Sequence, residues 1–373
     1  MSVKKTKKLS SFEIKLNNFV STYLTKIPFI QKIFFIDHLR TMIKAGLSIV
    51  EALDVLEKEI ENKRLAQIIG EIKKGIEAGQ QFSDVLKKHP KVFPPIYVKM
   101  IHSGEISGRL EESLDQIVTQ MKKTQALSSS IRGAMIYPAV ILAALGGIGI
   151  MMVVIVFPKL MTIFEEFDAE LPVATRILIK ITNFMSNPIN ITLILFLLIT
   201  FFVSFFTALK KIPKFKNTIH NLNLHLPIIG PIIKQINLAR FSLTLSSLLK
   251  SAIPIVDAVD ITADTCGNKI YQDFLHSASE RVKSGTPLSE ILSSQNFLFP
   301  PMVTEMIMVG ERTGEIEHLL SELSNFYSDE VDKTMKNFTV VIEPLIIIII
   351  LGIAVGGIAM AVIMPMYSLT QNF

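Results

Sequence analysis

Apolar residues recur every three or four positions along most of this 373-residue chain, and in three places they run unbroken. Recurrence at that spacing puts apolar side chains on one face of a helix. Leu110, Leu114, Ile117, Val118 and Met121 form such a stripe, and Ile316, Leu320, Leu323 and Phe326 form another. A third, near the start, passes through Phe12, Leu16, Phe19, Val20, Tyr23, Leu24 and Ile27. The unbroken runs are Ala139–Phe157, Ile191–Leu209 and Leu345–Met364, none with a charged residue. Each is about the roughly 20 residues a helix needs to cross a bilayer. Ile346–Ile350 alone has the look of a buried strand, but the run around it is of helix length.

Proline and glycine punctuate the periodic stretches. Ser48-x-x-Glu51 spells a capping box ahead of Ala52, Leu53 and Leu56. Pro254, also a helix-start residue, takes the Ser48 position further on. Gly79 and Gly285 read as helix C-caps. Pro94-Pro95 and Pro300-Pro301 read as helix starts, with the helices they open ending at Gly104 and Gly310. The pattern predicts an all-α membrane protein: two homologous helical-bundle domains of about six helices each, three transmembrane helices, and no strand.

The punctuation occurs twice because the chain does. Met42–Pro138 aligns with Leu248–Pro344 at a constant offset of 206 residues and without a gap. Lys44 falls on Lys250, Ala52 on Ala258, and Phe93-Pro94-Pro95 on Phe299-Pro300-Pro301. Gly104-Glu105-x-x-Gly108 falls on Gly310-Glu311-x-x-Gly314. An offset this long is a domain used twice, not a solenoid. The expected plan is a basic leader (1–34), copy 1 (35–132), a span (139–157), a loop (158–190), a span (191–209), copy 2 (210–338), a span (345–364) and a tail (365–373).

Charge orients that plan. Met1–Arg132 carries 22 Lys and Arg against 14 Asp and Glu, and Thr207–Phe338 carries 13 against 14, so 35 of the 38 basic residues lie in these two stretches. The positive-inside rule makes both cytoplasmic. Parity agrees: each copy feeds an outgoing helix, so the middle span must return. The N-terminus is then cytoplasmic, and the 158–190 loop and the tail at Phe373 are outside. The leader, with Lys4, Lys5, Lys7 and Lys8, lacks the apolar core of a signal peptide. Its stripe either lies on the lipid of the inner leaflet or packs on copy 1. A basic balance also fits nucleic acid, but the apolar runs make a membrane the simpler partner.

Further local text is distinctive: Leu226-Pro227-Ile228-Ile229-Gly230, Ala239-Arg240-Phe241, Leu248-Leu249-Lys250-Ser251, Glu170-Leu171-Pro172, Thr175-Arg176 and Glu343-Pro344. Together with Phe93-Pro94-Pro95 and both Gly-Glu-x-x-Gly motifs, it resembles the polytopic platform proteins of type II secretion and type IV pilus assembly, the secretion F / PilC-type family. The resemblance covers about residue 35 to the end. It implies a non-enzymatic scaffold in the bacterial inner membrane, working as a homo-oligomer with other inner-membrane assembly proteins. There a cytoplasmic assembly ATPase drives pilin or pseudopilin subunits out of the bilayer into a filament. Two features depart from the family. The segment ahead of copy 1 is short, which puts in doubt any contact made by a longer N-terminus, and Ala252 stands where copy 1 has the usual Gly46.

No enzyme is spelled out. There is no Gly-x-x-x-x-Gly-Lys-Ser/Thr loop to cradle ATP phosphates and no His-Glu-x-x-His, and the closest histidines, His220 and His225, fall on different helix faces. Cys266, the single cysteine, excludes a disulfide framework and has no base suggested beside it. No cofactor, no metal site and no direct contact with nucleic acid are expected.

The doubled Gly-Glu motif has two readings. In one it is a tight helix corner, where Gly104 and Gly108 allow the backbone to turn and Glu105 caps the next helix. In the other, Glu105 and Glu311 are presented to a partner. Glu343 and Pro344 stand where the third span begins, and an acid there is either solvated among headgroups or faces protein. Gly352 and Gly356 are four apart, a spacing that lets helices approach closely, and Gly146, Gly147 and Gly149 lie in the first run. They read as a packing face that seats a pilin helix or as ordinary membrane-helix glycines. The spans hold no charge to line a polar path, which disfavours a monomeric transporter. An oligomeric transporter or channel component is the alternative function.

Overall fold

The structure is a computed structural model of the chain, and it describes residues 26–156 and 187–359, with 158, 180 and 184 besides. The leader stripe from Phe12 to Leu24, most of the 158–190 loop, the tail 365–373, Phe157 and the end of the third apolar run lie outside the described residues.

Every element among the described residues is helical. Copy 1 comprises α1 (Phe29–Lys44), α2 (Ile49–Glu59), α3 (Lys63–Glu77), α4 (Phe82–Lys87), α5 (Pro95–Ser107) and the start of α6 (Leu110–Met151), which a π-helical turn, Met152–Val156, prolongs. Then come α7 (Pro188–Lys211) and α8 (Pro213–His225). Copy 2 comprises α9 (Ile229–Lys250), α10 (Ile255–Thr265), α11 (Lys269–Lys283), α12 (Leu288–Ser293), α13 (Pro301–Thr313) and the start of α14 (Ile316–Ile358). Each of α2 to α5 begins and ends 206 residues before its counterpart among α10 to α13.

Local chemistry sets these boundaries. Ser48 Oγ accepts the N–H of Glu51, and the Glu51 carboxylate accepts the N–H of Ser48, closing the capping box of α2. Asn62 and Asn268 cap α3 and α11 with their side chains. Pro95 and Pro301 stand at N1, where a missing N–H costs nothing. The helices they open do not stop at Gly104 and Gly310 but run on to Ser107 and Thr313.

The chain divides into two units, the first holding residues 26–128 and 233–329 and therefore most of both copies. Its core repeats as its boundaries do. Phe35, Leu39, Leu86, Phe93, Ile101 and Leu114 are buried, and so are Phe241, Leu245, Leu292, Phe299, Ile307 and Leu320 at the equivalent positions. One expected core residue differs. Phe326 is 48% exposed, and its neighbour Tyr327 is buried instead.

The second unit holds residues 129–156, 187–232 and 330–359 of the described chain. Leu110–Val156 and Thr192–Leu209 are long and apolar enough to cross a membrane, and their apolar windows are not buried in the protein. A water-soluble fold would hide such surface. The Leu345–Met364 run is helical as far as α14 is described. Pro138 and Pro344 do not end α6 and α14; both lie inside continuous helices.

Candidate functional site

The repeated Gly-Glu-x-x-Gly sits at the end of α5 and again at the end of α13, and each member has its own task. α4 is six residues long, and Gln81 gives it no side-chain cap. Glu105 supplies what is missing: its Oε1 accepts the N–H of Phe82 at 2.7 Å and its Oε2 that of Ser83 at 3.0 Å. In copy 2, Glu311 accepts the N–H of Leu288 at 2.6 Å and of Ser289 at 3.2 Å, and the Ser289 hydroxyl donates to it as well. Each carboxylate thus reaches back to cap the short helix before its own, not the helix that follows. Both oxygens of each are engaged within the chain.

The first glycine of each motif permits close packing rather than a turn. A Cβ on Gly104 would stand 2.5 Å from Ser113 Cβ, and one on Gly310 would stand 2.7 Å from Ile316 Cα. The second glycine makes the turn. Gly108 has φ +68° and Gly314 φ +79°, the left-handed region that closes a helix most cheaply with glycine. A third left-handed turn is repeated with a different residue. Gly46 has φ +90°, and Ala252 keeps φ +56° despite its side chain.

The two copies meet along a polar seam that none of the repeated motifs marks. Ser103 Oγ donates to the Ser251 carbonyl at 2.7 Å, and the Ser251 hydroxyl donates to Gln116. Ser247 Oγ donates to Gln120 Oε1 at 2.7 Å, and Lys123 Nζ donates to Asn325 at 2.9 Å. Gln120 is buried, as is Ser324, whose hydroxyl finds no hydrogen-bond partner among the described residues. A polar cavity of about 160 Å³ lies along this seam. The available signal was the pair Ser246 and Ser247 near the end of α9, with Ser251 just past it, where copy 1 carries Arg40, Thr41 and Ala45.

Charge is disposed differently in the two copies. Lys73 joins α3 to α2, bonding Asp54 and Glu57 at 2.7 Å each. Hydrogen bonds from Lys58 and Lys73 hold the Asp54 carboxyl down at about 2. In copy 2, Asp260 stands where Asp54 does and meets His276 at 2.7 Å instead. Burial pushes the Cys266 thiol up to about 12, which makes it an inert core group rather than a nucleophile. Glu343 and Pro344 both fall within α14, and the Glu343 side chain lies outside what the structure describes. A Cβ on Gly146, Gly147, Gly149, Gly352 or Gly356 would meet nothing within 4 Å among the described residues.

Residues 35–158 and 241–365 each match the family described as type II secretion system (T2SS), protein F. The chain belongs to that family. The two matches fall on the two copies and the apolar run that follows each. Among relatives of the protein F family, the chain is 34% identical over 335 residues to the type IV pilus assembly protein PilC of Thermus thermophilus, covering 90% of the chain and 81% of that protein. It is 31% identical over 336 residues to the type IV pilus assembly protein PilC of Pseudomonas aeruginosa, covering 90% and 88%. It is also 31% identical over 334 residues to the type II secretion system protein F of Aeromonas hydrophila, covering 89% and 84%.

Proposed function

We propose that this chain is a non-enzymatic platform in the bacterial inner membrane for a type IV pilus or type II secretion machine. It couples a cytoplasmic assembly ATPase to the extraction and polymerisation of pilin-like subunits, and it works as a homo-oligomer among other inner-membrane assembly proteins. The observation that carries this reading is family membership over both copies together with the apolar helices beside them. Both copies face the cytoplasm, three helices span the bilayer, and the C-terminus lies outside. The excess of basic residues supports that orientation.

In this reading copy 1, with its basic leader, receives most of the ATPase contact, because its surplus of Lys and Arg steers an acidic partner while copy 2 is near neutral. The third span, with Glu343 and Pro344 at its inner end and Gly352 and Gly356 on one face, is the seat for an arriving pilin helix. The cognate ATPase is expected to co-purify with the full-length chain in detergent and to be lost progressively as salt rises. No retention at low salt, or retention indifferent to salt, contradicts the assignment.

A further inference from the structure

The helix pair α4–α5 and its counterpart α12–α13 carry open grooves at the same place, and these grooves have diverged in charge. The copy 1 groove, about 210 Å³, is lined by Asp84, Lys87, Pro95, Lys99 and His102 among others. The copy 2 groove, about 700 Å³, is lined by Glu290, Glu305, Met308, Glu311 and Arg312 among others. Lys99 in copy 1 is replaced by Glu305 in copy 2, so one fold position carries opposite charges. Lys87, Lys99, Glu290 and Glu305 are all exposed, and none of them makes an ion pair among the described residues. A stable fold needs neither row, because unpaired surface charges contribute little to it.

Shape complements charge. Lys99, His102 and Ile106 follow one another at i, i+3 and i+7, so they share a face of α5. Ile106 is 71% exposed, more than any other large apolar residue described in the unit that holds most of both copies. It projects beside the basic groove as a knob. The larger copy 2 groove offers a recess lined in part by Met308.

We propose that the α4–α5 face of copy 1 docks on the α12–α13 face of copy 2 in a second protomer, head to tail, with Ile106 entering the copy 2 groove and Lys87 and Lys99 facing Glu290 and Glu305. This rests on the homo-oligomer reading above and names its surface. Two different faces of one chain make the contact, so it is heterologous and repeats from protomer to protomer until it closes on itself.

The test is a pair of charge swaps in the full-length chain, purified in detergent, with mass read by light scattering after gel filtration. Circular dichroism and a thermal melt confirm that each variant is folded. Lys87→Glu with Lys99→Glu makes both faces acidic, and Glu290→Lys with Glu305→Lys makes both basic. Each variant alone is expected to fall to the protomer mass, and an equimolar mixture of the two is expected to regain the wild-type mass. A wild-type chain that is already monomeric overturns both the homo-oligomer reading and this contact. Folded variants that keep the wild-type oligomer, or a mixture that stays at protomer mass, overturn the contact alone. So does a swap that spares self-association but loses an acidic partner protein, because the groove then serves that protein.

Discussion

Glu105 accepts the backbone N–H of Phe82 at 2.7 Å across 23 residues of sequence, and the same span separates Glu311 from Leu288. Each pair ties the N-terminus of a six-residue helix to the longer helix that crosses it. Glu105→Ala leaves two half-buried N–H groups without an acceptor and is expected to cost about 1–3 kcal/mol. Glu311→Ala is expected to cost more, because the Ser289 hydroxyl loses its acceptor too. Thermal unfolding of the full chain in detergent reads both. Variants that melt with the wild type but fail to bind a machine component would show that these carboxylates contact a partner.

The glycines of the motif separate by mechanism. Gly104→Ala drives a Cβ to 2.5 Å from Ser113 and is expected to destabilise by about 1–3 kcal/mol through overpacking. Gly108→Ala meets no neighbour but must hold φ +68°, at about 1 kcal/mol. Ala252→Gly relieves the same strain and is expected to raise the melting temperature. A fall with Ala252→Gly would mean that the loss of chain entropy to glycine outweighs the relieved strain.

The seam makes its own prediction. Gln120→Ala removes the acceptor of Ser247 from a buried site and is expected to cost about 1–3 kcal/mol. Its effect should concentrate on contacts between the copies. Hydrogen exchange is expected to quicken in the C-terminal half of α9 and the facing part of α6, with α2 to α4 unchanged. Uniform quickening across copy 1 would show that Gln120 supports that copy's own core.

The doubled architecture was legible because the repeat has no gap, so most buried positions and helix boundaries are written twice. Ser48-x-x-Glu51, Pro95 and Pro301 mark helix starts by purely local chemistry. Non-local chemistry was not legible. The partners of Glu105 lie more than twenty residues upstream, and no spacing rule points there. The seam joins Ser103 to Ser251 over a separation of 148 residues, beyond any periodicity. Phe326 and Tyr327 are adjacent aromatics that a stripe cannot rank. Proline favours a helix boundary, yet Pro138 and Pro344 lie inside α6 and α14. In apolar surroundings one missing hydrogen bond costs less than a helix end with several unpaired groups.

The central claim is a membrane platform with both copies on the cytoplasmic side, and reporter fusions in cells test it most directly. A reporter active only outside the inner membrane is expected to be active when fused after Phe373 and silent when fused at Asn268 in copy 2. Activity at Asn268 with silence after Phe373 would contradict the account.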